Sequence, residues 1–501
     1  MRYSEPSLPP PVFTDPARRQ KLASALPDIE AFLAAEVPKS QIPGFALGII
    51  IDGELVFAKG FGVRDTTSKA PVTADTLFRI ASMTKSFTAM AIMQLRDAGK
   101  LSLDEPVQRH IPELRALPYP TRDSSPITIR QLLTHTPGFP EDNPWADRQV
   151  AANDDYERLV KRDGISFATA PGTEYEYSNL GYAMLGQIIA KITGMSFQDY
   201  LAANVLRPLG MTSTVCEEKD VPPGRLARGY RLENGVMVAQ PNPPDGSMTS
   251  AGCLYSSLND MAKYAAFHLA AWPPRDDADA GPLRRSSVRE MHATSRYIRF
   301  GVTQALENRP LSATAVGYGF GFETRETCQF DRIVGHGGGL PGYSSWISLL
   351  PDYGVGYIWL ASTPTGAPFG MADQVMRKLE ATGGLVKRAV VPAPALAAAR
   401  ETVNRLVAGW DEAAADSAFI PTFFDETPKA KLKADLEALR TAHGACRVER
   451  PVGGDGKRSA KIRLACERSP VVLDFTLAEK SEKIEGVKFS PVSSSEAKCD
   501  R

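Results

Sequence analysis

Phe78-Arg-Ile-Ala-Ser82-Met-Thr-Lys85 places a hydroxyl and an amine three residues apart where an apolar helix should begin. Positions i and i+3 of a helix share a face, so the two groups would meet on its first turn. Free backbone N–H groups and the helix dipole make that end positive, which favours the negative charge that an attacked carbonyl oxygen develops. A serine hydroxyl becomes a useful nucleophile only when something takes its proton, and a lysine can do so only if burial or a neighbouring cation lowers its pKa from about 10.4. The pairing therefore points to acyl transfer and requires a buried lysine. The run through Met83, Phe87, Met90, Ile92, Met93 and Leu95 is apolar almost all round, which predicts a core helix with Gly99 as its C-terminal cap. A Ser-x-x-Lys match is expected about once by chance in a chain this long. A second match, Ser495-Glu-Ala-Lys498, stands in a polar tail without helical periodicity and is assigned no function.

Two further stretches bear on the first. Glu176-Tyr177-Ser178-Asn179 follows the turn Ala170-Pro-Gly-Thr173 and precedes a helical pattern of Leu180, Met184, Leu185, Ile188, Ile189 and Ile192 that ends at Gly194. Tyr177 thus falls on a connection, where functional groups are often held. A phenol there can pass a proton and an Asn amide can both donate and accept, although a half-buried tyrosine beside a capping Ser or Asn would use the same letters. Gly335-His336-Gly337-Gly338-Gly339 lies between the apolar segments around Ile333 and Trp346-Ile-Ser-Leu-Leu350. Glycines between two strands let a backbone approach a ligand, and they equally make a plain hairpin loop.

Taken in order, Ser82-x-x-Lys85, Tyr177-x-Asn179 and His336-Gly337-Gly338 resemble the three signatures of serine β-lactamase-type hydrolases. The nearest group holds the class C β-lactamases, D-alanyl-D-alanine carboxypeptidases, D-amino-acid amidases and peptidases, and esterases of β-lactamase fold. Gly44 through Glu54, Ile129-Arg-Gln-Leu-Leu-Thr-His135-Thr-Pro-Gly138 and Ser250-Ala-Gly252 agree with it, so the resemblance covers most of the first 385 residues. It implies an α+β, β-lactamase/transpeptidase-like fold: an antiparallel sheet flanked by helices, an all-helical subdomain, and a site between them. Alternating apolar segments at 45–62 and 332–362, with helical patterns in the middle, are compatible with a sheet that pairs its two ends.

The resemblance also implies roles. Ser82 would be the nucleophile, Lys85 the neighbour that relays its proton, and Tyr177 the general base that later protonates the leaving group. Asn179 would orient Lys85 and the substrate amide. His336, Gly337 and Gly338 would line the substrate site, and the backbone N–H groups of Ser82 and Gly339 would form the oxyanion hole. One departure matters: many β-lactamases and carboxypeptidases carry a lysine where this chain has His336, and a largely neutral imidazole holds a carboxylate less firmly. Small esters, amides or D-amino-acid peptides are therefore the expected substrates, with weak activity on β-lactams. An acylated receptor with little turnover and a scaffold with a relic site are the competing readings, and the full set of polar groups argues against the relic.

Other patterns fail on context. Gly337-x-Gly339-x-x-Gly342 contains Pro341 and precedes no helix, so no dinucleotide site is read. Gly342-Tyr-Ser-Ser-Trp346 lacks the last glycine of a nucleophile elbow. The six histidines show no metal-ligand spacing, so no metal and no cofactor are expected. Lys plus Arg equals Asp plus Glu at 58 each, which gives no sign of a nucleic-acid partner. No apolar run reaches a membrane span, and the start lacks the apolar core of a signal peptide. A cytoplasmic chain is the reading, with periplasmic or secreted placement left open and the oligomeric state unread.

Length and composition predict an N-terminal extension (1–27), a hydrolase domain (28–388), a Pro/Ala-rich linker (389–395) and a small α+β domain (396–501). In the last, helices are expected over 396–415 and 429–443, then an antiparallel meander near 447, 460–464, 471–477 and 484–489. Cys446 and Cys466 are nearly equidistant from Gly453-Gly-Asp-Gly456, so a regular hairpin would set them facing. That suits a disulfide and suits two buried thiols equally. Cys216, Cys253, Cys328 and Cys499 show no pairing pattern. Segments 140–162 and 301–318 read as loops that would set substrate choice.

Overall fold

The computed structural model describes residues 7–141, 165–242, 246–303, 312–368 and 370–492. Ser495-Glu-Ala-Lys498, Cys499 and most of 140–162 lie outside them. The chain divides into two compact units, one of Asp15–Trp272 with Asp279–Lys387 and one of Met1–Thr14 with Pro273–Ala278 and Arg388–Arg501.

The larger unit is built on an eight-stranded antiparallel sheet. Its strands are β1 (Gly44–Ile51), β2 (Glu54–Gly62), β3 (Arg296–Thr303), β4 (Ser312–Tyr318), β5 (Glu323–Thr327), β6 (Ile333–Leu340), β7 (Tyr343–Leu350) and β8 (Val355–Ala361), in the spatial order β2-β1-β8-β7-β6-β5-β4-β3. Asp52 and Gly53 both have positive φ, which matches the two-residue turn that closes the β1–β2 hairpin. β1 pairs with β8 from Phe45↔Ala361 to Ile51↔Val355, so the early and late strands of the unit meet one strand in from an edge of the sheet. All eight residues of β1 are buried. Side chains alternate across a strand, and both faces here are covered, hence the unbroken apolar run. Phe45, Leu47, Ile49 and Ile51 join the cluster with helices α1 (Leu26–Glu36) and α5 (Met371–Ala381), while Ala46 and Ile50 join the cluster of the central helices.

Those central helices are α2 (Thr84–Asp97), α3 (Asn179–Thr193) and α4 (Leu258–Leu269). Gly99 sits at φ 68° after α2, and the Lys100 N–H reaches back to Leu95 O, the closing bond of a glycine-capped helix end. α3 ends at Gly194 with φ 70°. Two expectations are corrected here. The glycines of 335–339 lie inside β6 itself, paired with β7, and the hairpin turns one step later at Pro341-Gly342. Segment 301–318 holds the end of β3 and all of β4, while 304–311 lies outside the described residues. Cys216 and Cys253, which show no spacing signal, form a disulfide.

The smaller unit carries helices α6 (Pro394–Ala408), α7 (Glu412–Ala418) and α8 (Lys429–His443), then β9 (Cys446–Gly453), β10 (Ser459–Cys466), β11 (Val471–Leu477) and β12 (Ile484–Pro491), a meander in simple order. One helix was expected over 396–415, whereas the chain breaks it at Gly409-Trp410, where Asp411 starts a new one by accepting from the Ala414 N–H. β11 alternates buried and half-buried residues along its length, with Val471, Leu473, Phe475 and Leu477 turned to the helices. Cys446 and Cys466 stand opposite each other in the β9–β10 register and are bonded.

Candidate active site

Ser82 sits in a single turn of 3-10 helix, Ala81–Met83, that leads into α2. Several contacts fix this turn. Phe78–Arg79 pairs with Tyr255–Ser256, the Ile80 N–H donates to Leu254 O, and the Ser345 hydroxyl on β7 donates to Ile80 O at 2.8 Å. Ala81 is held at φ 49°, a left-handed conformation that costs an L-residue about 1–2 kcal/mol and is retained only where the surroundings impose it.

One turn on, Lys85 is fully buried. Its Nζ donates to Ser82 Oγ at 2.9 Å, to Asn179 Oδ1 at 2.7 Å and to the Ala251 carbonyl at 3.0 Å. An ammonium has three N–H donors, and three acceptors meet them, which offsets the cost of taking a cation out of water. The three acceptors come from the turn before α2, the first residue of α3 and the short helix Thr249–Gly252, so the amine ties three segments at one point.

Tyr177 lies on the connection before α3, with its ring centroid 4.9 Å from Lys85 Nζ. The capping role belongs to Ser178, whose hydroxyl accepts from the Gly181 N–H, and this leaves the Asn179 amide for Lys85. The Tyr177 loop is flanked by His135. The Ser178 N–H donates to His135 Nδ1 at 2.9 Å, the Glu176 N–H donates to His135 O at 2.8 Å, and the imidazole packs on the Tyr177 ring at 4.2 Å. Burial, then the charge of Lys85, hold the His135 pKa well below its ordinary value, so the ring is neutral.

His336 Nδ1 lies 2.6 Å from Gly337 O and its Nε2 lies 2.9 Å from the Tyr318 hydroxyl. The carbonyl can only accept, so Nδ1 carries the proton and Tyr318 donates to Nε2. Burial, then Lys85, push its pKa down to about 3. Both ring nitrogens are engaged and neutral, an arrangement unsuited to holding a carboxylate. At Gly338 an added Cβ would stand 2.1 Å from Ile80 O and 2.4 Å from Ser345 Oγ, so only glycine lets β6 run against the Ser82 turn.

Ser82, Tyr177, His336, Gly337 and Gly339 line one cleft of about 310 Å³. Tyr175, Tyr318, Trp346, Glu141 and Glu323 complete it. Sequence reasoning missed these five, as well as Ala251 O and His135; of them, only the His135 and Ser250-Ala-Gly stretches carried a signal. Burial, then Tyr177 and the carboxylates of Glu323 and Glu141, raise the Tyr175 phenol, against the opposing charge of Arg299. The two ionic side chains of the lining are thus both carboxylates. Among the described residues no group of three or more His, Cys, Asp or Glu could hold a metal ion, and no helix is long and apolar enough to cross a membrane.

A family model described as "Beta-lactamase" matches residues 24–381. Protein flp of Staphylococcus aureus strain COL is 29% identical over 339 residues, covering 67% of this chain and 62% of that protein. Penicillin-binding protein 4* of Bacillus subtilis is 27% identical over 331 residues, covering 62% of this chain and 66% of that one. The chain thus spans less than two thirds of either relative. Among solved structures, an octameric penicillin-binding protein homologue from Pyrococcus abyssi aligns with a TM-score of 0.61 at 24% identity, over 91% of this chain and 96% of that one. The D-alanine carboxypeptidase AmpC of Burkholderia cenocepacia aligns at 0.53 and 22%, over 73% and 99%. Both likenesses are of fold.

Proposed function

The chain belongs to the beta-lactamase family, a superfamily of serine hydrolases, and on that premise we propose that it hydrolyses small esters, amides or D-amino-acid peptides through an acyl-enzyme at Ser82. The observation that carries this reading is the buried Lys85 amine, 2.9 Å from the Ser82 hydroxyl and 2.7 Å from the Asn179 amide oxygen.

In this mechanism Ser82 Oγ attacks the carbonyl carbon while its proton passes to the coupled Lys85–Tyr177 pair, whose titration belongs to both groups. The oxyanion is held by the backbone N–H groups of Ser82 and Gly339. Collapse breaks the bond to the leaving group, which takes its proton from Tyr177. Water then attacks the ester at Ser82, again losing a proton to the pair, and the acid departs as Ser82 regains its own. Asn179 keeps Lys85 aimed. Substrate preference follows from the lining: a neutral His336, engaged on both nitrogens, and the carboxylates of Glu141 and Glu323 offer nothing to a substrate carboxylate, so esters, amides and D-amino-acid peptides with a blocked C-terminus are favoured over those with a free one. β-Lactams, whose carboxylate needs a cation, are accordingly poor substrates.

The test is turnover of p-nitrophenyl acetate or butyrate, a chromogenic cephalosporin and D-alanine amides by wild type and Ser82→Ala. Ester or amide turnover that vanishes in the variant, with the cephalosporin far slower, supports the reading. Stoichiometric labelling of Ser82 without turnover would make the protein an acylated receptor, and failure of a fluorophosphonate to label Ser82 would sink the acyl-enzyme altogether.

A further inference from the structure

His135 stands outside the reacting set, yet it grips the Tyr177 loop from both sides. Its carbonyl accepts from the residue before Tyr177 and its Nδ1 accepts from the residue after. Its ring lies 4.2 Å from Tyr177, 4.6 Å from Tyr318 and 5.0 Å from Tyr182, so the phenol is backed by a buried aromatic wall. The backbone at His135, between these two hydrogen bonds, stands at φ 55°, a left-handed conformation that L-residues rarely adopt. Its Nε2, fully buried, has no hydrogen-bond partner among the described residues. Backbone strain and an orphaned buried N–H are both costs, and they are tolerated where a conformation is imposed for function.

We propose that His135 is a positioning residue for the reaction: it accepts the Ser178 N–H as a neutral imidazole and so fixes the Tyr177 hydroxyl relative to Ser82 and Lys85. The assignment rests on the reading of Tyr177 as the proton-transfer group. Only the Nε2–H tautomer leaves Nδ1 free to accept, and a protonated ring would lose that bond and set a second cation beside Lys85. A displacement of the phenol by about 1 Å is enough to cost on the order of 10²-fold in rate.

The experiment compares His135→Asn and His135→Gly with wild type and Tyr177→Phe, using p-nitrophenyl butyrate across pH 5 to 10. Asn and Gly both tolerate a left-handed backbone, so neither variant adds the strain that another side chain would. Asn offers an amide oxygen close to the place of Nδ1, whereas Gly offers nothing. His135→Asn is expected to keep kcat within about tenfold of wild type, and His135→Gly to lose about 10²-fold in kcat with KM moved by less than about threefold and the pH–rate profile displaced. A purely structural role would lower activity in both variants in step with their melting temperatures, and that result overturns the proposal. Full kcat in His135→Gly while Tyr177→Phe is inactive also overturns it and leaves the hydrolase reading standing. Full activity in Tyr177→Phe removes the premise and the proposal together.

Discussion

Lys85 Nζ donates to three acceptors from three segments, and each bond is one that a smaller side chain cannot replace. Lys85→Ala is expected to lower kcat on p-nitrophenyl butyrate by about 10² to 10⁴-fold, the usual worth of a positioned proton-transfer group, and steady-state kinetics would show it. A loss under threefold would remove Lys85 from the chemistry. The buried imidazoles make a second expectation. His336 and His268 are held at about 3, and His135 and His292 are pushed well below the ordinary value, in each case chiefly by burial. The unfolded chain binds these protons near pH 6.5 and the folded chain refuses them. Their contribution to stability is thus complete above about pH 6.5 and is lost as the pH falls towards 3, at about 1.4 kcal/mol per imidazole per pH unit. Urea midpoints should hold level from pH 7.5 to about 6.5 and decline from there to pH 5, and a series flat down to pH 5 would contradict the neutral assignments. At this scale Ser82, Lys85, Tyr177 and Asn179 could be picked out of the sequence because each sits in a short ordered motif. Ala251 O, Tyr318 and Trp346 could not, since a backbone carbonyl has no letter of its own and neither aromatic residue stands inside one of those motifs.

Among the elements, β6 decides how close the sheet comes to the Ser82 turn. Gly338→Ala would drive a methyl against Ile80 O and force the strand outward. The expected result is a kcat lower by about 10² to 10³-fold, the cost of a displaced oxyanion donor, together with a lower melting temperature. Gly339→Ala meets nothing within 4 Å and should melt close to wild type. Equal melting temperatures for the two variants would refute the packing argument. Helices α2 and α3 were legible because apolar periodicity and a left-handed glycine after the last turn both leave marks in sequence. The glycines of β6 read as a loop because a strand built for close backbone approach gives up the alternating side chains by which strands are recognised. β3 escaped although Ile298, Phe300 and Val302 alternate with Arg299, Gly301 and Thr303, because three apolar positions are a weak strand signal, and β4 offers only Val316 and Tyr318 as bulky apolar residues.

For the molecule as a whole, the two compact units have separate apolar clusters, with Leu396 to Ile484 in one that shares no residue with the sheet of the other. We propose that they are independent domains, and calorimetry should resolve two transitions. Reducing Cys446–Cys466, which closes a loop of 20 residues, is expected to lower one of them by about 2–4 kcal/mol. A single transition at every reductant concentration would contradict the division. The Pro/Ala-rich stretch near 390 carried a compositional mark, whereas the assignment of residues 7–14 and 273–278 to the smaller unit comes from pairing across the chain, such as Val12 with Ala389, that no local pattern announces. The pairing of β1 with β8 has a further consequence for synthesis. A nascent chain emerging from the ribosome displays β1 early, with its inner edge bare until residue 361 has followed, so the sheet that holds the Ser82 turn closes only after most of the larger unit has been translated. Premature termination before that point would release a sticky, inert fragment, and a helper that shields bare strands during translation would protect this protein more than one that acts after release.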